Sequence, residues 1–432
     1  MIKKIHITFL FLLASFIVQC QVININLGAV NVYLDNCWDC DDDNFRREIE
    51  YVNFMRNRQG AEVFILVTTQ DVGNGGEKHT LYFEGQISPY LNIVDTLSVF
   101  TDNDDTDRII SDKILIAFKK GIIPYVLKSN IADNISISYK DKQSLAKSSK
   151  QVKDTIDPWN SWVFTIRGRG NFNGESSYNG LFVNGNISAN RITEENKISI
   201  RSGLRYSKNN YHLINYDSLG VEIDRESFSS FTRSQYGSGE YVKSLTKHWS
   251  AGLNLNIRSN TFSNLNLGSS IKVGAEYNYY PYSESDRQSL SFRYKIGPTY
   301  NNYVDTTIYD KKTELLGQQT FAIDFLQKQN WGTVYLGFSY NGYLHDFELY
   351  NISFNPNIDW NIAKGLTFGL GGYFSLIGDQ ITLPKGDVNV PDLLLKNRIL
   401  STKYSFWGFF NIRYTFGSEY NNVVNPRYEG RG

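Results

Sequence analysis

Two cysteines stand in a CWDC run, Cys37 and Cys40, and acidic residues crowd around them at Asp39, Asp41, Asp42 and Asp43. A CxxC pair closes a local disulfide in an oxidising compartment, or acts as a redox dithiol where a helix start lowers a thiol pKa. The structural disulfide is the expectation, because nothing else in the chain resembles a thioredoxin module. The aspartates are the ligand type of a hard cation, but their spacing does not match an EF-hand loop and capping of the following helix accounts for them. No metal is expected. Beyond the leader, histidines stand at His79, His212, His248 and His345. His345 next to Asp346, with Asp217 in a neighbouring loop, has the residue types for proton transfer, although adjacency alone sets no geometry. With no zinc spacing, P-loop or serine elbow in the chain, a non-enzymatic protein without a cofactor is expected.

The 432 residues balance 44 Lys plus Arg against 44 Asp plus Glu, so no net charge draws the chain to nucleic acid. Aromatics reach 15% and charged residues only 20%, with 34 Gly and 9 Pro, which argues against disorder and for a β-rich fold.

Residues 1–20 place Lys3 and Lys4 before an apolar run from Ile7 to Val18, the pattern of a signal peptide. Cys20 follows Ile-Val-Gln, which departs from a lipobox at Gln19, so removal rather than lipidation is expected. No later apolar run approaches the roughly 20 residues of a spanning helix, so any membrane insertion must use a closed β-barrel.

An amino-terminal α/β domain is expected over 21–140. The residues read as a strand at 29–36, a helix at 41–57 and a near-continuous apolar strand at 61–70. A GNGG turn at 73–76 leads into a strand at 79–86; a helix over 104–127, interrupted near Gly121 and Pro124, and a strand at 134–140 complete a βαββαβ order. Residues 141–158 are polar and aperiodic and read as a linker.

From Trp159 the pattern changes to long segments whose alternate positions are apolar. In one, Leu290, Phe292, Tyr294 and Ile296 oppose Ser291, Arg293 and Lys295; in another, Trp249, Ala251, Leu253, Leu255 and Ile257 oppose Ser250, Asn254 and Arg258. Twelve such segments from 161–172 to 404–417 predict an all-β, roughly 12-stranded antiparallel transmembrane β-barrel over 159–418, lipid-facing on one side and lumen-facing on the other. The fourth, 232–245, has no convincing apolar face. An even strand count returns both ends, including a tail at 419–432, to the periplasm. Short turns at 193–196, 245–248, 327–330 and 363–365 fit that side, while 209–231, 302–314 and 379–403 are expected as extracellular loops. Trp159, Trp162, Trp249, Trp331 and Trp360 fall at the periplasmic strand ends, where indoles form an interfacial belt.

Parity assigns Arg167, Arg169, Arg201, Arg205 and Arg258 to the lumen, together with Lys272, Arg293, Lys295 and Arg413. Only Glu276, Asp324 and Asp359 oppose them, so a strongly basic interior is expected, either an anion-attracting passage or a barrel filled by its own paired side chains.

The run NVYLDNCWDCDDDNFRREIEYVNFMRNRQGAEVFILVTTQDVGNGG and the ending FNIRYTFGSEYNNVVNPRY resemble an uncharacterised family of Gram-negative outer-membrane β-barrel proteins that carry a periplasmic α/β domain. The likeness spans nearly the whole mature chain and implies a place and a fold; it carries over no catalytic residue. The final strand ends near Phe416, so the terminal aromatic signal usual in such barrels is not at the end of the chain. The expected function is a porin-like, narrow, anion-preferring channel, with outer-membrane lipid as its surroundings. The alternative is a scaffold that binds a periplasmic or envelope protein through residues 22–140. A remote alternative is an omptin-like surface hydrolase, to whose site His345, Asp346 and Asp217 bear a loose likeness.

Overall fold

A computed structural model describes residues 28–73, 75–136, 157–216, 218–386, 400–418 and 420. The expected leader at 1–20, with Cys20, the expected linker except residues 157 and 158, the expected tail except Tyr420, Asp217 and much of 379–403 lie outside the described residues.

The amino-terminal part begins with β1 (Val30–Asp35), followed by α1 (Asp42–Glu48), β2 (Val52–Phe54), β3 (Val63–Asp71), β4 (Glu77–Gly85), β5 (Val94–Phe100) and α2 (Asp107–Val126). They build one mixed sheet in the order β2-β1-β3-β4-β5, parallel at β1–β2 and β1–β3 and antiparallel beyond. This corrects the βαββαβ expectation in two places. The helix expected at 41–57 stops at Glu48, because Val52, Asn53 and Phe54 are all buried in a strand alongside β1. Residues 94–100, left unassigned between the expected strand at 79–86 and the expected helix at 104–127, form β5, whose Leu97 and Val99 pack against the core. Of the strand expected at 134–140, residues 137–140 lie outside the described residues; before them a 3₁₀ turn closes at Asn134.

Local chemistry explains the helices. Asp41 caps α1 by accepting from the Asn44 N–H, while Asp42 and Asp43 in its first turn and Arg46 and Arg47 in its last complement the helix dipole. Thr106 caps α2, which runs without interruption through Gly121 and Pro124. Its buried stripe, Ile114, Phe118, Ile122 and Tyr125, has helical spacing and meets Phe45, Phe54 and Phe83. The first six residues of β3 are all buried, which explains their unbroken apolar run: Val63, Ile65 and Val67 face the helices, and Phe64, Leu66 and Thr68 face away from them.

The remainder is one antiparallel sheet of twelve strands paired in sequence order, from β6 (Trp162–Glu175) through β12 (Gln288–Tyr303) and β13 (Thr313–Gln329) to β17 (Tyr404–Tyr414). β6 and β17 are its two edges and do not pair with each other. The segment expected as a loop at 209–231 is mostly strand: β8 (Asn196–Tyr216) and β9 (Glu222–Ser244) continue as a long hairpin. Polar residues there can join a strand because, past any buried zone, both faces meet water. No helix among the described residues is long and apolar enough to cross a membrane.

Candidate functional site

Residues directly opposite on neighbouring strands share a face, so the pairing register carries a face across the whole sheet. Asn186 lies opposite Arg167, Asn184 opposite both Arg169 and Arg205, and Ser188 opposite Arg201. Tyr236 sits across from Arg258, Asn254 from Lys272, and Glu276 from Arg293; Gly274 is opposite Lys295. Ser291 pairs with Asp324, Thr333 with Asp359 and Thr367 with Arg413. All twelve charged positions singled out from parity thus fall on one polar face. The opposite face is apolar and open: Ile166 is 84% exposed and Phe410 72%, with Ile257, Val273 and Phe406 also exposed between them.

The polar face gathers its charges near the end where the short turns lie. Arg293 donates from Nη2 to Asp324 Oδ2 at 2.7 Å, and its Nε is 3.3 Å from Glu276 Oε2. Tyr335 donates to the other Asp324 oxygen at 3.0 Å and Tyr282 to Glu276 Oε1 at 3.0 Å. Lys295 Nζ is 3.9 Å from Glu240 Oε1, which also accepts from Asn254 at 2.9 Å. Arg293, Lys295, Glu240, Glu276 and Tyr282, with Lys197, line a cavity of about 400 Å³. At this part of the face three cations, Arg293, Lys295 and Lys197, stand with Glu240, Glu276 and Asp324, so the charge is locally near balance although the basic positions of the whole face outnumber the acidic ones. Glu240 and Lys197 were missed. Glu240 lies in the segment without a clear apolar face, where Tyr236 occupies the polar side while Gly237 and Gly239 occupy the apolar one.

Elsewhere on the face the Arg205 guanidinium sits 5.7 Å from the Phe182 ring centre. Arg413 lines a cavity of about 260 Å³ shared with Tyr33, Arg56 and Arg58 of the amino-terminal domain.

That domain docks onto the same end of the large sheet. Thr68 and Tyr82 both donate to Asp286 Oδ2, at 2.7 and 2.8 Å, and the Arg287 guanidinium lies 5.4 Å from the Tyr82 ring centre. Asp286 is 5% exposed. It belongs to the connection 279–287 between β11 (Leu265–Asn278) and β12, the longest of the five at this end. That extra length among short turns is the signal that sequence reasoning left unused. A second contact joins Arg56 to the carbonyls of Phe416 and Gly417, at 3.1 and 3.4 Å, beside an antiparallel bridge from Met55 to Tyr420. A third brings the 72–76 turn against Ile192 and Val163.

Burial, and then the hydrogen bond to Asp286, push the Tyr82 hydroxyl up to about 12. The docked state therefore keeps its proton at a pH where a released Tyr82, with an ordinary value near 10, has lost it. The Tyr82 contribution to docking is expected to be fully present below about pH 10 and to weaken about tenfold per pH unit from there to about 12. Spin labels at Lys120 and Glu195, both exposed, report the separation by EPR. Release already complete at pH 9 would exclude Tyr82 as the responsible group.

The remaining candidates are placed as follows. Cys37 and Cys40 are joined as a disulfide. Asp42 and Asp43 pair with Arg46 at 3.0 and 3.6 Å, whereas Asp39 turns toward the fully buried His79. His212 bonds Ser227, and His248 donates from Nδ1 to the Asn278 carbonyl. His345 packs against the Tyr343 ring while Asp346 accepts from the Glu348 N–H, so these two are engaged locally rather than with one another. Trp162, Trp249, Trp331 and Trp360 all lie at the end where the domain docks: Trp249 packs on Tyr277, Trp162 stacks on Phe164, and the Trp331 carbonyl accepts from Asn361 beside Trp360. No family model matches the chain, and no curated protein does.

Proposed function

We propose that the chain is an integral outer-membrane protein whose twelve-stranded sheet closes into a β-barrel enclosing a narrow channel, with the amino-terminal domain on the periplasmic side as its cover. The observation that carries this reading is the exposed apolar face, which runs from Ile166 in β6 to Phe410 in β17 opposite a predominantly polar one. A patch of that extent costs heavily in water and suits lipid. Both edge strands carry unpaired N–H and C=O groups; hydrocarbon cannot satisfy these, so pairing of β6 with β17 accompanies insertion. The tryptophans at the docked end fit an interfacial belt. The paired cluster around Arg293 narrows the passage near the cover, and the arginines beyond it favour anions.

Conductance in a planar bilayer tests this. The intact protein is expected to conduct little. Asp286→Ala, which loosens the cover, and a chain lacking residues 22–158 are expected to conduct in steps with a reversal potential on the anion side. No conductance from any of the three would sink the channel. The scaffold reading would then stand, supported by the outer edge of β5, where Val94 and Phe100 are exposed and no strand follows.

A further inference from the structure

We propose that Asp39, Glu77 and His79 form a binding site for a divalent transition cation of the zinc type, a role independent of the channel reading. Glu77 and His79 are two residues apart on β4, so both side chains leave the same face of the strand. Asp39 reaches them from the loop closed by the Cys37–Cys40 disulfide, whose far end is fixed by the Asp41 cap. One ligand atom from each residue lies within 4.8 Å of the others. His79 Nε2 is 3.5 Å from Glu77 Oε2, and Nδ1 is 3.7 Å from Asp39 Oδ2. Ligand pairs spanning a tetrahedral ion at bonds of about 2.0–2.1 Å stand about 3.4 Å apart, which the Nε2–Glu77 pair already matches; Asp39, whose 3.7 Å approach is to the other ring nitrogen, lies within 4.8 Å of the group and completes the set by rotating its carboxylate toward the Nε2 side.

The imidazole gives an independent sign. His79 is fully buried, and its Nε2 has no hydrogen-bond partner. A buried polar atom without a partner is costly, and an ion between the ring and Glu77 removes that cost. Nδ1 lies 3.3 Å from Thr69 Oγ1. With Nδ1–H donating there, the Nε2 lone pair points at Glu77, the outer-shell arrangement that orients a ligating histidine. The two carboxylates are each 39% exposed, so the ion sits at the surface end of the group with water completing its shell. One nitrogen and two carboxylates suit zinc, cobalt or manganese; magnesium and calcium prefer all-oxygen shells of higher number. The opposing alternative is an imidazolium held between two carboxylates without any metal.

The test uses the full-length, disulfide-intact protein without a histidine tag or reductant, stripped with EDTA and titrated calorimetrically with Zn²⁺. One equivalent is expected to bind and magnesium none. Asp39→Asn and Glu77→Gln keep the shape of half-exposed side chains and should each weaken binding at least tenfold, with the far-UV spectrum unchanged. Co²⁺ should give visible absorption bands in the wild type and shift the His79 ring protons. No Zn²⁺ binding at 100 µM would overturn the proposal in favour of the imidazolium. Binding that survives both amide variants, with His79 unshifted by Co²⁺, would overturn it by placing the ion elsewhere.

Discussion

Replacing Asp286 by alanine is expected to release the amino-terminal domain from the large sheet, shifting the docked-to-released ratio by about 100-fold. Its carboxylate accepts from both Thr68 and Tyr82 in a buried contact. Hydrogen bonds to a charged group contribute about 1.5–3 kcal/mol each, and the truncation leaves two hydroxyls without a partner, so a loss of about 3 kcal/mol is expected. At about 1.4 kcal/mol per decade that gives the 100-fold figure. The spin-label separation between Lys120 and Glu195 measures it directly. Tyr82→Phe alone is expected to cost less, since Thr68 still serves the carboxylate. The triple change Asp286→Ala, Tyr82→Phe, Thr68→Val should recover part of the loss, because no polar group then remains unsatisfied. An unchanged separation in Asp286→Ala would mean that the Arg56 and 72–76 contacts hold the domain without it.

The period-two pattern made the large sheet legible, since with one face apolar and one polar the side-chain alternation pins every register. It also placed Arg293, Glu276 and Asp324 together, because parity alone decides which residues share a face. It failed at Glu240, where glycines interrupt the apolar side, and at the 209–231 hairpin, where polarity suggested a loop although strands outlast any single environment. In the amino-terminal domain the β3 run announced burial on both faces without saying what covered the second. At Thr68 and Gln70 the partner is the far 279–287 connection, and a contact between Thr68 and Asp286 at such separation leaves no local trace. Strand β2 was hidden for a related reason: three residues after an acidic, well-capped helix start read as its continuation until β1 offers them an edge. The His79 group was invisible as well, because Asp39 read as one of four helix-capping aspartates and only the disulfide-bound loop separates it from them.

Gly121→Val in α2 is expected to destabilise the amino-terminal domain by about 3 kcal/mol. A Cβ at this position would run into the Phe83 ring. The ring has nowhere to go: Phe83 is fully buried, with Phe118 and Tyr125 at 6.2 and 6.5 Å between ring centres. Overpacking of a rigid core costs roughly 1–3 kcal/mol, and valine's two further methyls put the cost at the upper end, offset by only a few tenths of a kcal/mol from its helix propensity being higher than that of glycine. Gly121→Ala meets the same ring but gains up to about 1 kcal/mol in helix propensity, so its net cost is smaller, near 1–2 kcal/mol. Amide hydrogen exchange of peptides from α2 reads the effect without interference from the large sheet; protected amides should exchange about 100-fold faster in Gly121→Val. Lys120→Val, one residue away and exposed, serves as the control, because it places valine in the same turn without the clash and costs only about 0.5 kcal/mol in helix propensity. Equal exchange in Gly121→Val and Lys120→Val would show that the helix and β4 do not meet as closely as the Phe83 contact requires.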